Sequence, residues 1–337
     1  MWYTAIRPAL FALEPERAHQ LALSALQVLG RRTLRQLNHA PIECMGLRFP
    51  NRVGLAAGFD KNGIAVDGLG SIGFGFIEIG TVTPRAQPGQ PRPRLFRLPA
   101  ERALINRLGF PNEGAERVAQ RLRGRRYRGI VGVNIGKNLN TPVARAVDDY
   151  VHCFRTVRGV ADYVAVNVSS PNTAGLRDLQ TRERLEPLLT ALLQERERDA
   201  ASGVVRPRLV VKISPDVSLE ELKDTAALFR ALPIDGVIAT NTTVKPEGAA
   251  SFSSAGAGGV SGRPLHSIAL RAVAELRSFL GRGFPIVGVG GIDSPQAALA
   301  MRAAGADLIQ IYTGLIYRGP ALVSQCIRAL ADRQQAS

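Results

Sequence analysis

Residues 286–313, IVGVGGIDSPQAALAMRAAGADLIQIYT, contain one complete copy of the unit from which most of the chain is built. An apolar run rich in Val and Ile at 286–291 is followed by a helix-period stretch at 294–304 and a second apolar run at 308–313. Strands that are apolar throughout are typical of parallel strands buried on both faces. The segment therefore predicts a strand–helix–strand unit of a parallel sheet.

The same alternation extends through the rest of the chain. Six further apolar runs are predicted strands: 53–58, 76–82, 130–135, 163–169, 209–214 and 236–241. Helix-period stretches lie between most of them, at 112–123, 143–158, 182–200, 218–231 and 265–280. Eight strands alternating with helices favour the α/β class and a closed (β/α)8 TIM barrel. An open doubly wound sheet is the alternative, but its GxGxxG pattern after the first strand is missing.

Composition limits the classes of protein to which this chain can belong. The chain has 337 residues with 45% hydrophobic content, which excludes disorder and low complexity for its bulk. A net charge of +15 suggests an anionic partner: nucleic acid, an acidic membrane surface or a phosphorylated ligand. The three cysteines show no CxxC motif or paired spacing, which argues against a disulfide framework or a zinc site. We find neither a spanning apolar segment nor a secretory signal.

Residues 1–40 stand apart from the repeats. Their apolar spacing predicts two short amphipathic helices, with Pro15 at the start of the second. Five arginines add positive charge: Arg7, Arg17, Arg31, Arg32 and Arg35. Two interpretations remain open, a helical cap packed on the barrel or a basic amphipathic hairpin lying on an anionic bilayer. We divide the chain into this hairpin (1–40) and a barrel domain (41–337).

Ligands of a barrel bind at the C-terminal ends of the strands, so the polar residues there are candidate site residues. They are Asp60, Lys61, Thr81, Asn134, Lys137, Asn167, Lys212, Thr240, Asn241 and Thr242. Each one alone is equally compatible with a satisfied buried polar group. Their joint placement at one end of the barrel predicts a binding site.

The last two strands carry a second signal. Glycine-rich turns at 288–292 and 312–314, with a further one at 261–263, suit a phosphate held by backbone N–H groups. Amides and lysines around a phosphorylated ligand suit a flavin, whose reduced ring is anionic and would be balanced by Lys212. The four histidines are scattered, and we predict no metal site.

These motifs, in this order, resemble the class 2 dihydroorotate dehydrogenases, membrane-associated, quinone-dependent flavoenzymes of pyrimidine synthesis. The resemblance covers nearly the whole chain. The matching strings are GLAAGFDKNG (54–63), IEIGTVTPRAQPGQPRPRLFRLP (77–99), INRLGFPN (105–112), GVNIGKN (132–138), VNVSSPNTAGLRDLQ (166–180), KISPD (212–216), ATNTT (239–243), GGVSGRPL (258–265), VGVGGI (287–292) and IQIYTGLIYRGP (309–320).

The resemblance implies a role for each matching position. It assigns FMN binding to Ala57, Gly58, Phe59, Asp60, Lys61, Thr81, Asn134, Asn167, Lys212, Thr240, Gly262, Gly291, Tyr312 and Thr313. It assigns dihydroorotate and orotate to Lys61, Asn106, Arg107, Leu108, Gly109, Phe110, Asn167, Asn172, Asn241 and Thr242. Ser170 would be the catalytic base, and His19, Arg97 and Tyr312 would line a quinone tunnel.

Two features imply class 2 rather than class 1, whose members carry Cys at the position of Ser170 and lack the N-terminal extension. Ser170 would remove the C5 proton of dihydroorotate while C6 delivers hydride to the flavin. The proton would then leave through Thr173 and an ordered water behind Phe110. The implied acceptor is ubiquinone or menaquinone, and the implied location is the cytoplasmic face of a bacterial inner membrane, with peripheral attachment through the hairpin. A monomer is favoured.

Two rival functions share some of these features. A tRNA dihydrouridine synthase has the same fold and would use the positive charge, but such enzymes typically use a Cys acid and add a C-terminal RNA-binding domain. A nucleic-acid-binding module without catalysis would need an aromatic stacking pattern, and aromatic residues make up only 6% of the chain. We therefore expect no nucleic-acid partner.

Overall fold

The computed structural model describes residues 2–30, 40–201, 206–246 and 257–332. Eight parallel strands form a closed barrel, and strands and helices are numbered here in chain order. The barrel strands are β3 (Val53–Leu55), β4 (Phe76–Val82), β7 (Ile130–Ile135), β8 (Tyr163–Asn167), β9 (Arg208–Ile213), β10 (Gly236–Ala239), β12 (Ile286–Val289) and β13 (Leu308–Ile311). The last strand closes on the first through Ile309 beside Val53 and Ile311 beside Leu55. The predicted (β/α)8 barrel is confirmed.

Helices cover the outside of the barrel, as the helix-period stretches predicted. They are α3 (Val66–Gly70), α4 (Ala115–Arg123), α5 (Ala146–Val157), α6 (Arg182–Ala201), α7 (Leu219–Ala231), α8 (His266–Leu280), α9 (Pro295–Ala303), α10 (Thr313–Arg318) and α11 (Ala321–Asp332). Local capping explains two of the starts. Ser218 and Glu221 form a capping box at α7, while the Ser294 side chain accepts from Ala297 N at α9, with Pro295 in the first turn.

Several predicted strands end earlier than their apolar runs. The run at 53–58 is a strand only to Leu55, and the run at 236–241 only to Ala239. Beyond these points the chain turns over the barrel mouth. Gly58 has a φ of 98° there, a conformation that glycine adopts far more readily than residues with a side chain. The residues that leave the ladder are the ones that face the mouth.

An antiparallel hairpin that the sequence analysis did not predict closes the opposite end of the barrel. It consists of β1 (Ile42–Cys44) and β2 (Leu47–Phe49). Phe49 is fully buried and packs edge-to-face on Phe76, with ring centroids 5.3 Å apart. This hairpin fills the barrel floor with apolar side chains, so that polar groups inside the barrel lie above it.

A three-stranded antiparallel sheet over the mouth was also not predicted. Its strands are β5 (Leu95–Leu98), β6 (Ala103–Asn106) and β11 (Gly259–Gly262), with β6 in the centre. Leu95 pairs with Asn106, which in turn pairs with Gly259. The sheet brings the loop after β4 together with the loop after β10.

The N-terminal amphipathic hairpin is present as α1 (Trp2–Ala12) and α2 (Pro15–Gly30). The Glu14 carboxylate caps α2 by accepting from the N–H groups of Glu16 and Arg17. Of the five predicted basic residues, Arg31, Arg32 and Arg35 lie outside the described residues. None of the described helices is both long enough and apolar enough to cross a membrane.

Candidate active site

A cleft at the C-terminal end of the barrel, here called the barrel cleft, brings most of the predicted site residues together. From those residues it is lined by Ala57, Gly58, Lys61, Thr81, Asn106, Leu108, Gly109, Phe110, Asn167, Ser170, Asn172, Lys212, Thr240, Asn241, Thr242, Gly262, Gly291, Tyr312 and Thr313. Gly58 and Tyr312, which are 254 residues apart along the chain, are hydrogen-bonded to each other here. The closure of the barrel is what makes such residues neighbours.

A network of amides and hydroxyls crosses one wall of the barrel cleft. Thr81 donates to Asn134 Oδ1 at 2.6 Å, and Asn167 Nδ2 donates to Thr81 Oγ1 at 2.9 Å and to Asn134 Oδ1 at 3.1 Å. Asn241 Nδ2 donates to Asn167 Oδ1 at 3.3 Å and to Ser169 Oγ at 3.0 Å. Asn134 itself is fully buried beneath this wall. Each amide is therefore held in one orientation before any ligand arrives.

Lys212 projects from β9 into the cleft and is almost fully buried. Burial lowers the pKa of Lys212, and the Glu78 carboxylate opposes that shift. A cation in this position favours a ligand that is negatively charged or becomes so during reaction.

Lys61 lies at the cleft margin, where its ammonium donates to the Gly58 carbonyl oxygen. Burial lowers the pKa of Lys61 to about 8; the Glu16 carboxylate opposes this shift and the Arg94 guanidinium adds to it. Glu16 belongs to α2, so the N-terminal hairpin contributes to the electrostatics of the cleft. At neutral pH Lys61 is a cation suited to a carboxylate.

Ser170 is buried at the end of β8 and faces the cleft. Its Oγ accepts a long hydrogen bond of 3.3 Å from Asn172 N. Asn172 Nδ2 donates to Asn106 Oδ1 at 2.9 Å, which joins the β8 loop to the antiparallel sheet. Thr173 Oγ1 is buried and, within the described residues, has no hydrogen-bond partner. A buried hydroxyl without a protein partner is a position where a water molecule completes the hydrogen bonding.

The loop 106–110 covers the cleft and is held from outside. Gln87 Nε2 donates to the carbonyl oxygens of Gly109 and Phe110, at 3.0 and 3.1 Å. Gln90 N donates to Leu108 O at 2.9 Å. Phe110 adopts a φ of 55°, which is uncommon for a residue with a side chain, and its ring is buried. The loop is thus a defined cover over the cleft.

The glycine-rich turns lie at the other end of the cleft. Gly262 and Gly291 have φ values of 97° and 66°, and Ser261 Oγ lies 2.8 Å from Thr313 Oγ1 beside them. Such turns expose backbone N–H groups without steric hindrance from side chains, as a phosphate site requires. The donors and acceptors of the cleft also fit a flavin: neutral amides, the buried Lys212, and the buried acceptor Gln310 Oε1, which has no partner in the described part of the chain.

A second, apolar cavity of about 420 Å³ lies between the N-terminal helices and the barrel; we call it the hairpin cavity. Apolar side chains of α1 and α2 form most of its wall. It contains all three residues that the sequence predicted for a quinone tunnel, His19, Arg97 and Tyr312. Leu95, Leu104 and Tyr312 line both cavities, so the two spaces share a wall one side chain thick.

The polar residues of the hairpin cavity are firmly held. The His19 ring packs edge-to-face on Phe59 with centroids 5.0 Å apart. Burial lowers the pKa of His19 to about 4, the charge of Lys61 adds to the shift, and a hydrogen bond with the Phe59 backbone opposes it. His19 is therefore neutral near pH 7. Arg97 donates to the carbonyl oxygens of Phe11 and Leu13 at the end of α1, at 3.2 and 2.9 Å.

Asn134 lies beneath the cleft wall, and four further residues predicted for the cleft lie elsewhere: Phe59, Asp60, Arg107 and Lys137. Lys137 is buried and donates to Thr141 O at 2.9 Å. Phe59 lines the hairpin cavity rather than the barrel cleft. The Asp60 carboxylate accepts from the N–H groups of Ile64 and Ala65 and so supports the turn that carries Lys61. Arg107 lines an outer groove beside the cleft, with its guanidinium 4.6 Å from the Phe96 ring centroid.

Sequence reasoning also missed residues. Gln310, Leu95 and Leu104 line the cleft, and Glu78 is buried beneath it. Two of them left a visible signal, because Glu78 is the single acid within the apolar strand 76–82 and Gln310 is the single amide within the apolar run 308–313. The described residues contain no group of three or more His, Cys, Asp or Glu side chains that could hold a metal ion.

Comparison with known proteins identifies the family that this chain resembles. A family model described as dihydroorotate dehydrogenase matches residues 40–333. The dihydroorotate dehydrogenase (quinone) of Azotobacter vinelandii is 51% identical over 335 residues, which cover 98% of this chain and 96% of that protein. The protein of the same name from Aromatoleum aromaticum is 48% identical with the same coverage. A crystal structure of DHODH from Eimeria tenella in complex with ferulenol superposes with a TM-score of 0.88 at 36% identity, covering 98% of this chain and 95% of that one.

Proposed function

The chain belongs to the dihydroorotate dehydrogenase family, and from this premise we propose how its residues carry out the reaction. It is an oxidoreductase of pyrimidine biosynthesis that oxidises dihydroorotate to orotate, with a quinone as electron acceptor. One observation supports the division of labour most directly: a polar cleft and an apolar cavity share the side chains of Leu95, Leu104 and Tyr312. The polar side suits dihydroorotate and the apolar side suits a quinone.

The family is flavin-dependent, and we propose FMN as the cofactor of this chain. Its phosphate would lie at the turns of Gly262 and Gly291 with Thr313. Its ring would lie against Ala57, Gly58, Thr81, Asn167, Thr240 and Tyr312, above Asn134. Lys212 would balance the negative charge of the reduced ring. When bound, the flavin supplies the hydride acceptor and the two-electron carrier between the two cavities.

Lys61 is proposed to bind the carboxylate of dihydroorotate. The amides of Asn106, Asn172 and Asn241, with Thr242 and Asn167, would bind the ureide edge of the ring, since each amide offers both a donor and an acceptor. The cover 106–110, with Arg107 at its outer side, would exclude water from the reacting atoms. A bound substrate anion would also favour the charged form of Lys61.

Ser170 is proposed as the base that takes the C5 proton of dihydroorotate. A hydroxyl is a weak base at neutral pH, so its proton must pass onward as the C–H bond breaks. Thr173 Oγ1, buried without a protein partner in the described residues, is the neighbouring group suited to this transfer through water. This proton route would run behind Phe110, whose buried ring separates it from bulk solvent.

The hairpin 1–40 is proposed to receive ubiquinone or menaquinone from the bilayer and the barrel 41–337 to bind FMN and dihydroorotate. Large apolar side chains of the helices are exposed, including Trp2 at 63% and Leu21 at 55%. Exposed apolar groups beside arginines suit an anionic membrane surface. Because the relatives are bacterial, we place the protein peripherally on the cytoplasmic face of the inner membrane.

An anaerobic experiment tests this function. The purified protein is mixed with dihydroorotate, and bleaching of the flavin absorbance is followed; quinone, fumarate or NAD is then added separately. We expect rapid bleaching without RNA and reoxidation by quinone only. Absence of bleaching would overturn the activity, whereas reoxidation by fumarate or NAD would overturn the quinone specificity.

A further inference from the structure

Glu78 is a fully buried acid at the centre of the barrel. The reaction described above assigns it no role. It projects from the middle of β4, between the apolar floor and the barrel cleft. Three donors converge on its two oxygens: Asn134 Nδ2 at 2.8 Å, the Tyr163 hydroxyl at 2.9 Å and Gln310 Nε2 at 2.7 Å. An acid that accepts from three groups has the hydrogen bonding of a carboxylate, which carries acceptors only.

The carboxylate decides which way two amides face. Because it cannot donate, Asn134 and Gln310 must turn their NH2 groups toward it and their oxygens away. Asn134 Oδ1 then accepts from Thr81 and Asn167 in the cleft wall. Gln310 Oε1 is buried beside the cleft and, in the described part of the chain, remains without a donor. The cleft floor thereby offers a free acceptor.

The same orientation passes along the wall. Asn167 uses its NH2 group toward Asn134 and Thr81, so its Oδ1 is the acceptor for Asn241 Nδ2 and Ser169. Each amide in the series repeats the direction of the one below it. The direction of the whole series begins at Glu78.

Charge gives Glu78 a second effect on the cleft. Lys212 is buried above it, and a buried ammonium without an opposite charge is strongly disfavoured. The Glu78 carboxylate is the group that favours the charged form of Lys212. Glu78 does not line the cleft itself, but its carboxylate keeps Lys212, which does line the cleft, in the charged form.

We propose that Glu78 is a positioning residue that sets the donor and acceptor pattern of the cleft floor and sustains the charge of Lys212. The floor then presents an acceptor, Gln310 Oε1, close to a cation. This pattern suits a flat heterocycle that has an imide N–H beside an edge that becomes negative on reduction. The inference rests on the proposed function, because the flavin is the ring concerned.

Glu78→Gln tests the proposal with little change of shape. The new amide keeps one acceptor and would bring its NH2 group against the NH2 group of either Gln310 or Asn134, so one of these amides must reverse. Reversal of Gln310 places a donor in the cleft, and reversal of Asn134 inverts the series in the cleft wall. We expect the Kd of FMN, measured by titrating apoprotein with FMN and following flavin fluorescence, to rise at least tenfold. Tyr163→Phe removes one donor but leaves the carboxylate and both amides, and we expect its Kd to stay within threefold of the wild-type value.

A charge-swapped variant distinguishes orientation from simple loss of packing. In Glu78→Gln combined with Gln310→Glu, a carboxylate accepts across the same contact, and the oxygen of the amide introduced on β4 still accepts from Asn134. We expect FMN affinity to recover at least threefold relative to E78Q. An E78Q variant that binds FMN as tightly as the wild type, or a swap without recovery, would overturn the proposal.

Two measurements keep the result interpretable. If E78Q does not fold, Gln310→Leu removes the cleft acceptor while Glu78 stays, and an unchanged FMN affinity in that variant would contradict the proposal. Wild-type apoprotein that binds no FMN would instead overturn the proposed function. The ratio of Kd values between variants and wild type tests Glu78 alone.

Discussion

Ser170 lies beside the cleft without an ionisable hydrogen-bond partner among the described residues. Its Oγ accepts from the N–H of Asn172 at 3.3 Å, and the next hydroxyl, that of Thr173, is buried. A histidine or carboxylate base would keep the proton, whereas a serine must pass it on. As the proposed base, Ser170 would tie the rate of C–H cleavage to one hydroxyl and to the route by which its proton leaves.

Ser170→Ala is expected to bind FMN and orotate normally, because the hydroxyl is not a main anchor for either. The rate of flavin reduction by saturating dihydroorotate, measured by stopped flow, should fall by about 10²–10⁴. Ser169→Ala, a change in the neighbouring hydroxyl that accepts from Asn241, should instead weaken substrate binding and keep the rate within tenfold. A near-normal reduction rate in Ser170→Ala would refute its role as the base.

Lys61 predicts a pH dependence. Its pKa, lowered to about 8 by burial, makes the cation abundant below pH 8 and scarce above it. kcat/KM for dihydroorotate should therefore decline as pH rises through about 8, because the carboxylate loses its partner. Lys61→Ala should remove this decline and raise KM while FMN content stays high; Lys212→Ala should mainly lose FMN. Identical FMN content and dihydroorotate affinity in the two variants would contradict the separate roles.

The close packing of α2 against α3 of the barrel depends on two glycines. A Cβ added at Gly68 in α3 would lie 1.9 Å from the Leu26 carbonyl oxygen of α2, and one at Gly30 would lie 2.5 Å from Gly68 N. Only two residues without side chains allow the backbones to approach this closely. The position of the wall formed by α2, and hence the hairpin cavity, follows from that contact.

Gly68→Ala should shift α2 away from α3 and leave the barrel intact. We expect slower reoxidation of the reduced enzyme by a long-tailed quinone, by tenfold or more, with dihydroorotate-dependent bleaching unchanged. Gly159→Ala is a matched control because an added Cβ there meets no atom within 4 Å. Equal quinone rates in the two variants would show that α2 tolerates the displacement.

Across the molecule, polar and apolar chemistry occupy different spaces. The barrel supplies the polar cleft, and the hairpin supplies the apolar cavity, with Leu95, Leu104 and Tyr312 between them. On the proposed anionic membrane, the net charge of +15 and the exposed apolar side chains of the hairpin would favour one orientation. Under the proposed assignment, electrons would cross the shared wall without either substrate entering the other space.

Removal of residues 1–37 tests this division. The truncated chain keeps β1, which starts at Ile42, and every barrel strand, so it should retain FMN and be bleached by dihydroorotate. Reoxidation by a long-tailed quinone should fall steeply, while a small water-soluble dye should still reoxidise it.

Binding of the full chain to anionic liposomes should weaken with salt but persist, since apolar burial is not screened. The truncated chain should lose that binding. Full quinone turnover and liposome binding by the truncated chain would return the hairpin to the role of a structural cap.

Local sequence was sufficient to predict the barrel and the end of the barrel at which the site lies. Periodicity identified all eight barrel strands, because a strand buried on both faces must be apolar along its whole length. Polar residues just past those strands predicted the cleft, since parallel strands end at one side of the barrel. Resemblance to the family then supplied a role for each site residue, and all of these roles, including those of Ser170 and Lys61, remain predictions.

Tertiary structure decided the features that depend on distant partners. The sheet of β5, β6 and β11 joins strands separated by about 150 residues, and the hairpin of β1 and β2 is stabilised by burial on Phe76. The role of Glu78 arises in the same way: its three donors come from β7, β8 and β13, and a strand sequence does not state what faces it across a barrel. Hydrogen-bond direction is a property of the closed barrel, because only closure brings an acceptor and its donors together.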